Sequence, residues 1–141
     1  MTPFSMLLHA GGFPPKEAAR ILEVREDTVR QWIKGRREPP IDALIAMATY
    51  VAHQVSVADE VIEQVVQDTE DSVELGIATD DAEAQSLGWP SALAQHRVIG
   101  RITAELIIEG IEVTVVPRGS TAVSASAADA HDKYLTRRRD Q

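Results

Sequence analysis

Hydrophobic residues recur at helical spacing along most of the chain and alternate at strand spacing in two short segments. The longest pattern covers residues 41–69, where an apolar residue returns every three or four positions through more than three heptads. Its members are Ile41, Leu44, Ala48, Val51, Val55, Ala58, Ile62 and Val65. This spacing predicts one long helix, or two helices separated near residues 56–57. We expect its apolar face to pack within its own domain or, along the second half, against a partner chain.

Two strand patterns flank a helical pattern in residues 72–118. Residues 73–77 alternate between apolar and polar types, and residues 111–116 form a second strand that ends at Pro117. The helix between them ends at Gly110. The residues predicted to form its apolar face are Leu93, Val98, Ile99, Ile102, Leu106 and Ile107. Because a pair of strands is marginally stable alone, we expect the long helix, a second copy of the chain, or both to complete this lobe.

The segment before the long helix contains two short helical patterns joined by a tight turn. The first begins at Pro15, and the second begins near Glu26 or Asp27 and ends at Gly35. The residues predicted to fix the crossing of the two helices are small or apolar: Ala18, Ala19, Leu22, Val24, Val29, Trp32 and Ile33. This arrangement is typical of a helix-turn-helix.

The same stretch resembles the helix-turn-helix of the Cro/repressor-type (XRE-like) family of DNA-binding proteins, over roughly residues 4–55. The residues that carry the resemblance are Glu17, Ala18, Ala19, Val24, Thr28, Val29, Trp32 and Gly35, followed by prolines before another helix. In that family the second helix lies in the major groove, and the protein usually represses transcription as a dimer. The resemblance therefore implies a homodimeric DNA-binding repressor of its own operon. An antitoxin-like member would also bind a toxin partner.

At two positions the chain departs from the family's pattern. Glu23 occupies a position where the family usually has glycine, and a non-glycine residue with positive φ costs about 1–2 kcal/mol. Arg25 occupies the position of the small hydroxyl residue that usually caps the second helix. Because arginine has no acceptor atom, we expect this helix to begin near Glu26, or later with Asp27 as its cap.

Candidate DNA contacts lie on the outward side of the second helix and around its ends. Arginine and glutamine can each hold a purine edge through two hydrogen bonds, and a carboxylate can accept from cytosine N4. The predicted base-reading residues are Glu26, Asp27, Arg30 and Gln31. The predicted backbone-contacting residues are Lys16, Arg25, Thr28, Lys34, Arg36 and Arg37. Contacts to phosphates position a protein and make its binding depend on salt, without reading sequence.

The predicted fold class is therefore mostly α. It consists of an N-terminal helix-turn-helix domain over residues 1–56, a helix extension with a β-α-β dimerisation lobe over residues 57–118, and a flexible tail over residues 119–141. The basic run Arg137–Arg139 is expected to be a solubilising end of that tail.

Charge and composition narrow the functions that remain open. The 141-residue chain has a net charge of −8, yet residues 1–56 carry +1 and the remainder carries −9. Because affinity for phosphate depends on local potential, the acidic total does not exclude DNA. The chain has no cysteine, and its four histidines, His9, His53, His96 and His131, match no metal-ligand spacing. No phosphate-binding or nucleophile motif is present, so we expect no enzyme activity, no metal and no cofactor.

Two other readings of the chain remain. An excisionase or MerR-like winged helix shares a similar run of residues, but there a β-wing follows the second helix, whereas here Pro39-Pro40 leads into a long helix. A protein-interaction adaptor would use the acidic lobe to bind a basic partner without contacting DNA. No uninterrupted apolar run approaches the roughly 20 residues of a membrane span, so we expect a cytoplasmic protein with no membrane partner.

Overall fold

The computed structural model describes residues 1–68 and 71–118. The predicted tail over residues 119–141, with its basic run Arg137–Arg139 and His131, lies outside them. The described chain is mostly helical with a small two-stranded parallel sheet, as predicted. Its elements are α1 (Pro3–Gly11), α2 (Pro15–Leu22), α3 (Glu26–Lys34), α4 (Ile41–Gln67), β1 (Ser72–Ile77), α5 (Asp81–Ser86), α6 (Ala92–Ile108) and β2 (Glu112–Pro117). They divide into two compact units: unit 1 is Met1–Gln54, and unit 2 begins at Val55.

Unit 1 is built around one apolar cluster formed by α1, α2, α3 and the first part of α4. Its buried members are Phe4, Leu8, Phe13, Ala18, Ala19, Val29, Trp32, Ala43 and Met47. A capping box starts α1, because the Thr2 hydroxyl accepts from the Ser5 N–H at 3.1 Å and the Ser5 hydroxyl accepts from the Thr2 N–H at 3.2 Å. The buried Gln54 side chain donates to the Gly11 carbonyl oxygen at 3.1 Å, which connects α4 to the end of α1.

α4 is continuous, so the prediction of one long helix is confirmed and a break near residues 56–57 does not occur. The predicted apolar face is only partly correct along the first half. Leu44 packs against the cluster of unit 1 and Val51 is half-buried, but Ile41, Ala48 and Val55 are exposed. The residues that α4 buries there are Ala43, Met47 and Gln54. Apolar side chains occur on several sides of this part of α4, so their spacing alone could not show which side packs into the core.

The second half of α4 contributes to the core of unit 2 through Val57, Ala58, Val61 and Val65. This contribution confirms that the long helix helps to complete the β-α-β lobe. Among the described residues, α4 is also the one helix long and apolar enough to cross a membrane, by length and composition alone. The core helix of a soluble protein meets the same criterion.

Unit 2 has the predicted order of strand, helix and strand, with the short α5 inserted before α6. β1 and β2 are parallel and in register from Ser72 opposite Glu112 to Ile77 opposite Pro117. Asp80 caps α5, because its carboxylate accepts from the Glu83 N–H at 2.8 Å. The remaining buried members of this core are Leu75, Ala78, Ala84, Trp89, Val98, Ile99, Ile102, Leu106 and Ile111.

α6 buries four of the six residues predicted to form its apolar face: Val98, Ile99, Ile102 and Leu106. The other two assignments are wrong, because Leu93 is 53% exposed and Ile107 is 58% exposed. At about 100° per residue, Leu93 and Ile107 fall on the side of α6 opposite Ile102. α6 therefore carries apolar side chains on two opposite sides, and only one of them meets the core.

A buried glutamine on α6 satisfies the backbone at the end of β1. Gln95 is fully buried, its Oε1 accepts from the Ala78 N–H at 2.8 Å, and its Nε2 donates to the Gly76 carbonyl oxygen at 3.4 Å. The neighbouring His96 Nε2 lies 2.7 Å from the Ala78 carbonyl oxygen. These contacts attach the first half of α6 to β1 by hydrogen bonds as well as by apolar packing.

Candidate nucleic-acid interface

α3 is held in place by aromatic and aliphatic packing on its inner side. Trp32 is buried as predicted, and its ring meets that of Phe4 in an edge-to-face contact with centroids 5.4 Å apart and planes at 84°. Val29 is fully buried, and Ile33 packs against the same cluster. Because α3 has only nine residues, this inner face rather than intrinsic propensity keeps it helical.

The start of α1 also supports α3, a contact that the sequence pattern did not predict. Phe4 lies against Trp32, and the Thr2 hydroxyl is 3.5 Å from the Ile33 carbonyl oxygen near the end of α3. Thr2 followed by Pro3 and Ser5 is a recognisable helix-start pattern, so the existence of α1 could have been predicted. Its contact with α3 depends on tertiary packing and leaves no local signal.

The turn between α2 and α3 contains the unusual backbone conformation that Glu23 was expected to adopt. Glu23 has φ +56° and ψ +43°, and among the described residues it is the one non-glycine residue with positive φ. The next residue, Val24, donates its N–H to the Ala19 carbonyl oxygen at 3.1 Å, which closes the end of α2. The glutamate therefore accepts a strain of about 1–2 kcal/mol at the position where the resembling family has glycine.

α3 begins without a side-chain cap. Arg25 is the N-cap residue and makes no capping hydrogen bond, so the alternative in which Asp27 caps a later start is wrong. Glu26 and Asp27 instead lie in the first turn of α3. Their carboxylates interact favourably with the positive end of the helix dipole, which partly offsets the missing cap.

The end of α3 presents cations in a defined backbone geometry. Gly35 has φ +76°, and the Arg36 N–H donates to the Gln31 carbonyl oxygen at 3.0 Å, as in a Schellman motif. This turn terminates the helix and is followed at once by Arg36 and Arg37, both of which are exposed. With Lys34, three cations lie within four residues.

The four predicted base-reading residues lie on the outer side of α3 and pair with one another along it. Arg30 Nη2 donates to Glu26 Oε1 at 2.8 Å, and Gln31 Nε2 donates to Asp27 Oδ2 at 3.0 Å. The side chains of Arg30 and Glu26 are 55% and 42% exposed. An exposed pair with this i, i+4 spacing contributes only about 0.3–0.5 kcal/mol, so an incoming ligand can displace it at little cost.

The predicted backbone-contacting residues surround that outer side. Lys16, Arg25, Lys34, Arg36 and Arg37 are exposed, and Thr28 is half-buried. Within residues 1–68 and 71–118, these six side chains make no hydrogen bond or ion pair. Arg20, a further cation on α2, differs from them, because its Nε donates to Glu17 at 2.6 Å, and this bond raises the pKa of Arg20.

No family model, curated protein or solved structure matches the chain. Arg30 and Gln31 offer planar donor groups suited to base edges, and the cations around α3 suit phosphates. In the described part of the chain, no group of three or more histidines, aspartates and glutamates is placed to hold a metal ion.

Proposed function

We propose that this protein is a sequence-specific DNA-binding transcriptional regulator of the Cro/repressor type. It acts as a homodimeric repressor of its own operon in the cytoplasm. One observation supports this function above the others. α3 has an inner face fixed by Val29 and Trp32, an outer face of long polar side chains, and exposed cations directly after its last turn.

α3 is the recognition helix of this proposal. The major groove of B-form DNA is about 12 Å wide and admits an α-helix. Arg30 reads a guanine and Gln31 reads an adenine, each through two hydrogen bonds. Arginine has five N–H donors, and the bond to Glu26 uses one of the five, so Arg30 can contact a base before or after that bond opens. Asp27 and Glu26 accept from cytosine N4 where the operator offers one.

The surrounding residues bind the DNA backbone. Lys16 at the start of α2 and Arg36 and Arg37 after α3 contact phosphates, together with Arg25, Thr28 and Lys34. Displacement of counterions from DNA by these cations supplies affinity for any sequence and a steep dependence on salt. The side chains on α3 then add the sequence preference.

The test is fluorescence anisotropy with two labelled duplexes, the region upstream of the gene for this protein and a scrambled duplex of equal composition. We expect tighter binding to the upstream duplex, and weaker binding of both duplexes when the salt concentration rises from about 50 to about 200 mM. Failure to bind either duplex at the lower salt concentration contradicts the proposed function.

One observation favours a second candidate. The outer side of α6 exposes Leu93 and Ile107, and such apolar surface is typical of a site that binds protein. An antitoxin would bind DNA and use this surface for a toxin, whereas a protein-interaction adaptor would leave both duplexes unbound. The same anisotropy measurement separates the adaptor from the regulator.

A further inference from the structure

The outer side of α6 carries an apolar stripe that unit 2 does not cover within the described residues, and that His96 and Arg97 interrupt between Leu93 and Gly100. It consists of Leu93, Gly100, Ala104, Ile107 and Ile108. The two large residues at its end, Ile107 and Ile108, are 58% and 76% exposed. A stripe of this kind on a helix that already buries its opposite side is a candidate interface, because leaving it in water forgoes hydrophobic stabilisation.

Gly100, at the centre of this stripe, is not required by any close contact within the described fold. A Cβ atom added there would meet nothing within 4 Å, so no neighbouring group requires the absence of a side chain. Glycine inside a helix is also less stable than alanine. A close approach by a surface from outside the described fold would require a glycine at this position.

We propose that this stripe binds a second copy of the chain, with the two α6 helices crossing antiparallel at Gly100. Leu93 and Ile107 each lie seven residues from Gly100, on opposite sides of it, which is about 10 Å along the helix axis. A twofold axis at Gly100 therefore places Leu93 of each copy against Ile107 of the other. Such self-complementarity is what an isologous dimer interface requires.

The charges that flank the stripe favour the same antiparallel orientation. Arg97 lies three residues before Gly100, and Glu105 lies five residues after it. An antiparallel crossing at Gly100 therefore places Arg97 of one copy within about 3 Å, along the helix axis, of Glu105 of the other, whereas parallel helices would place each charge beside the same charge of the other copy. Arg97 Nη1 is buried and has no hydrogen-bond partner within residues 1–68 and 71–118.

This inference rests on the proposed function, because it supplies the interface of the dimeric regulator. Its test, however, needs no DNA. A monomeric wild-type chain that still binds the upstream duplex overturns the interface alone. A dimeric chain that binds neither duplex overturns the proposed function alone.

The first experiment measures the oligomeric state of the full chain by sedimentation equilibrium. We expect the wild type to be a dimer and Ile107→Lys to raise the dimer dissociation constant about 100-fold, since a charge would be buried at the contact. Val115→Lys is the matched control, because Val115 lies on β2 of the same unit and is 43% exposed. Equal dimerisation by the two variants, or a wild type that stays monomeric, overturns the proposal.

Two further variants separate loss of the interface from loss of folding. Gly100→Leu should dissociate the dimer while far-UV circular dichroism shows unchanged helix content, because the added side chain has open space in the single copy. Arg97→Glu should weaken the dimer, and the double variant Arg97→Glu, Glu105→Arg should restore it. The two positions are eight residues apart on one helix, so rescue indicates contact between copies. A Gly100→Leu chain that is still as tight a dimer as the wild type contradicts the crossing at Gly100.

Discussion

α3 and α6 are built on the same plan but carry opposite outer surfaces. Each helix buries one side in the core of its unit, through Trp32 on α3 and Ile102 on α6. On the outer side, α3 presents arginine, glutamine and carboxylates, whereas α6 presents Leu93 and Ile107. In both helices, the burial of apolar side chains determines which side faces the core. The outer side therefore indicates the partner of each helix. The planar donor groups on α3 suit bases and phosphates, whereas the apolar stripe on α6 suits another protein surface.

The two helices also differ in how they are attached. The inner side of α3 rests on an aromatic contact between Trp32 and Phe4. α6 has, in addition to its apolar face, the fully buried Gln95, which bonds to the backbone of β1. Packing tolerates a small shift of a side chain, but a buried hydrogen bond does not. We therefore expect the two attachments to respond differently to substitution.

The largest effect is expected from Trp32→Ala. Removal of a buried aromatic side chain costs about 3–5 kcal/mol, which is a large share of the stability of a small domain. α3 would lose its support, and binding to the upstream duplex would be lost with it. Urea denaturation followed by far-UV circular dichroism measures the cost, and Lys34→Ala on the outer side of the same helix is the control. Similar costs for the two variants would contradict the assignment of inner and outer sides.

Gln95→Ala tests the attachment of α6 and should have the next largest effect. It leaves the Ala78 N–H and the Gly76 carbonyl oxygen buried without a partner, at about 1–3 kcal/mol each. Gln85→Ala is the matched control, because Gln85 is exposed and its amide donates to the Pro90 carbonyl oxygen at 3.1 Å. The free energy of unfolding should fall much more for Gln95→Ala. Equal losses would show that the buried amide adds nothing to the packing of α6.

The sequence was sufficient to predict the faces of α3 but not those of α6. On α3, every residue at an outward position is polar, so the apolar Val29 and Trp32 mark the inner side without ambiguity. On α6, apolar residues lie on both sides, and Leu93 and Ile107 were assigned to the wrong one. Periodicity identifies a helix and its apolar residues, but only tertiary packing decides which apolar side is buried.

Polar contacts over long separations were the other part that the sequence could not supply. Gln95 is followed by His96 and Arg97 in the sequence, and nothing local indicates that the Gln95 amide bonds to the backbone at the end of β1, 17 and 19 residues away. The local features were predictable, because each depends on neighbouring residues. Examples are the cap at Asp80 and the helix end at Gly110, whereas the left-handed conformation of Glu23 was suggested only by the family resemblance.

The outer side of α3 should divide into positions that read bases and positions that hold phosphates. We expect Gln31→Ala to remove about 1–3 kcal/mol of discrimination at one base pair and to leave non-specific binding nearly unchanged. Arg36→Ala should weaken binding to all sequences and reduce the salt slope by about 1. Arg101→Ala is the control for loss of one positive charge, since Arg101 belongs to unit 2 and pairs with Asp59 at 3.3 Å. Anisotropy with single-base-pair variants of the bound duplex measures all three. Identical behaviour of Gln31→Ala and Arg36→Ala would contradict this division.

Glu23→Gly tests the left-handed conformation in the turn before α3, and Gly110→Ala tests the same conformation in the turn after α6. Relief of about 1–2 kcal/mol of left-handed strain is partly offset by the extra entropy of glycine, about 0.5–1 kcal/mol, so the variant should gain roughly 0.5–1 kcal/mol. Gly110→Ala is the reverse change, because Gly110 has φ +83° and a Cβ there meets nothing within 4 Å. It should lose roughly 0.5–1 kcal/mol, because the same left-handed strain of about 1–2 kcal/mol is partly offset by the lower entropy that alanine has in the unfolded chain. Thermal denaturation measures both variants. Destabilisation by Glu23→Gly would show that the Glu23 side chain stabilises the turn.

The smallest effect on stability is expected from Glu26→Gln, which tests the pairs along the outer side of α3. Loss of the exposed pair with Arg30 and of one carboxylate in the first turn should cost about 0.5 kcal/mol. Affinity for a duplex that offers Glu26 no cytosine should rise, because a negative charge leaves the surface that faces phosphates and Arg30 becomes free to bind a base. Asp59→Asn is the matched control, since it neutralises the carboxylate of another exposed pair, on unit 2, and changes the net charge equally. If both variants raise affinity equally, the change in net charge alone explains the gain in affinity for DNA, and the position of Glu26 on α3 does not contribute to it. If Glu26→Gln instead relaxes the preference for cytosine at one position of the duplex, Glu26 itself reads that base. Its pair with Arg30 then exists only in the protein without DNA.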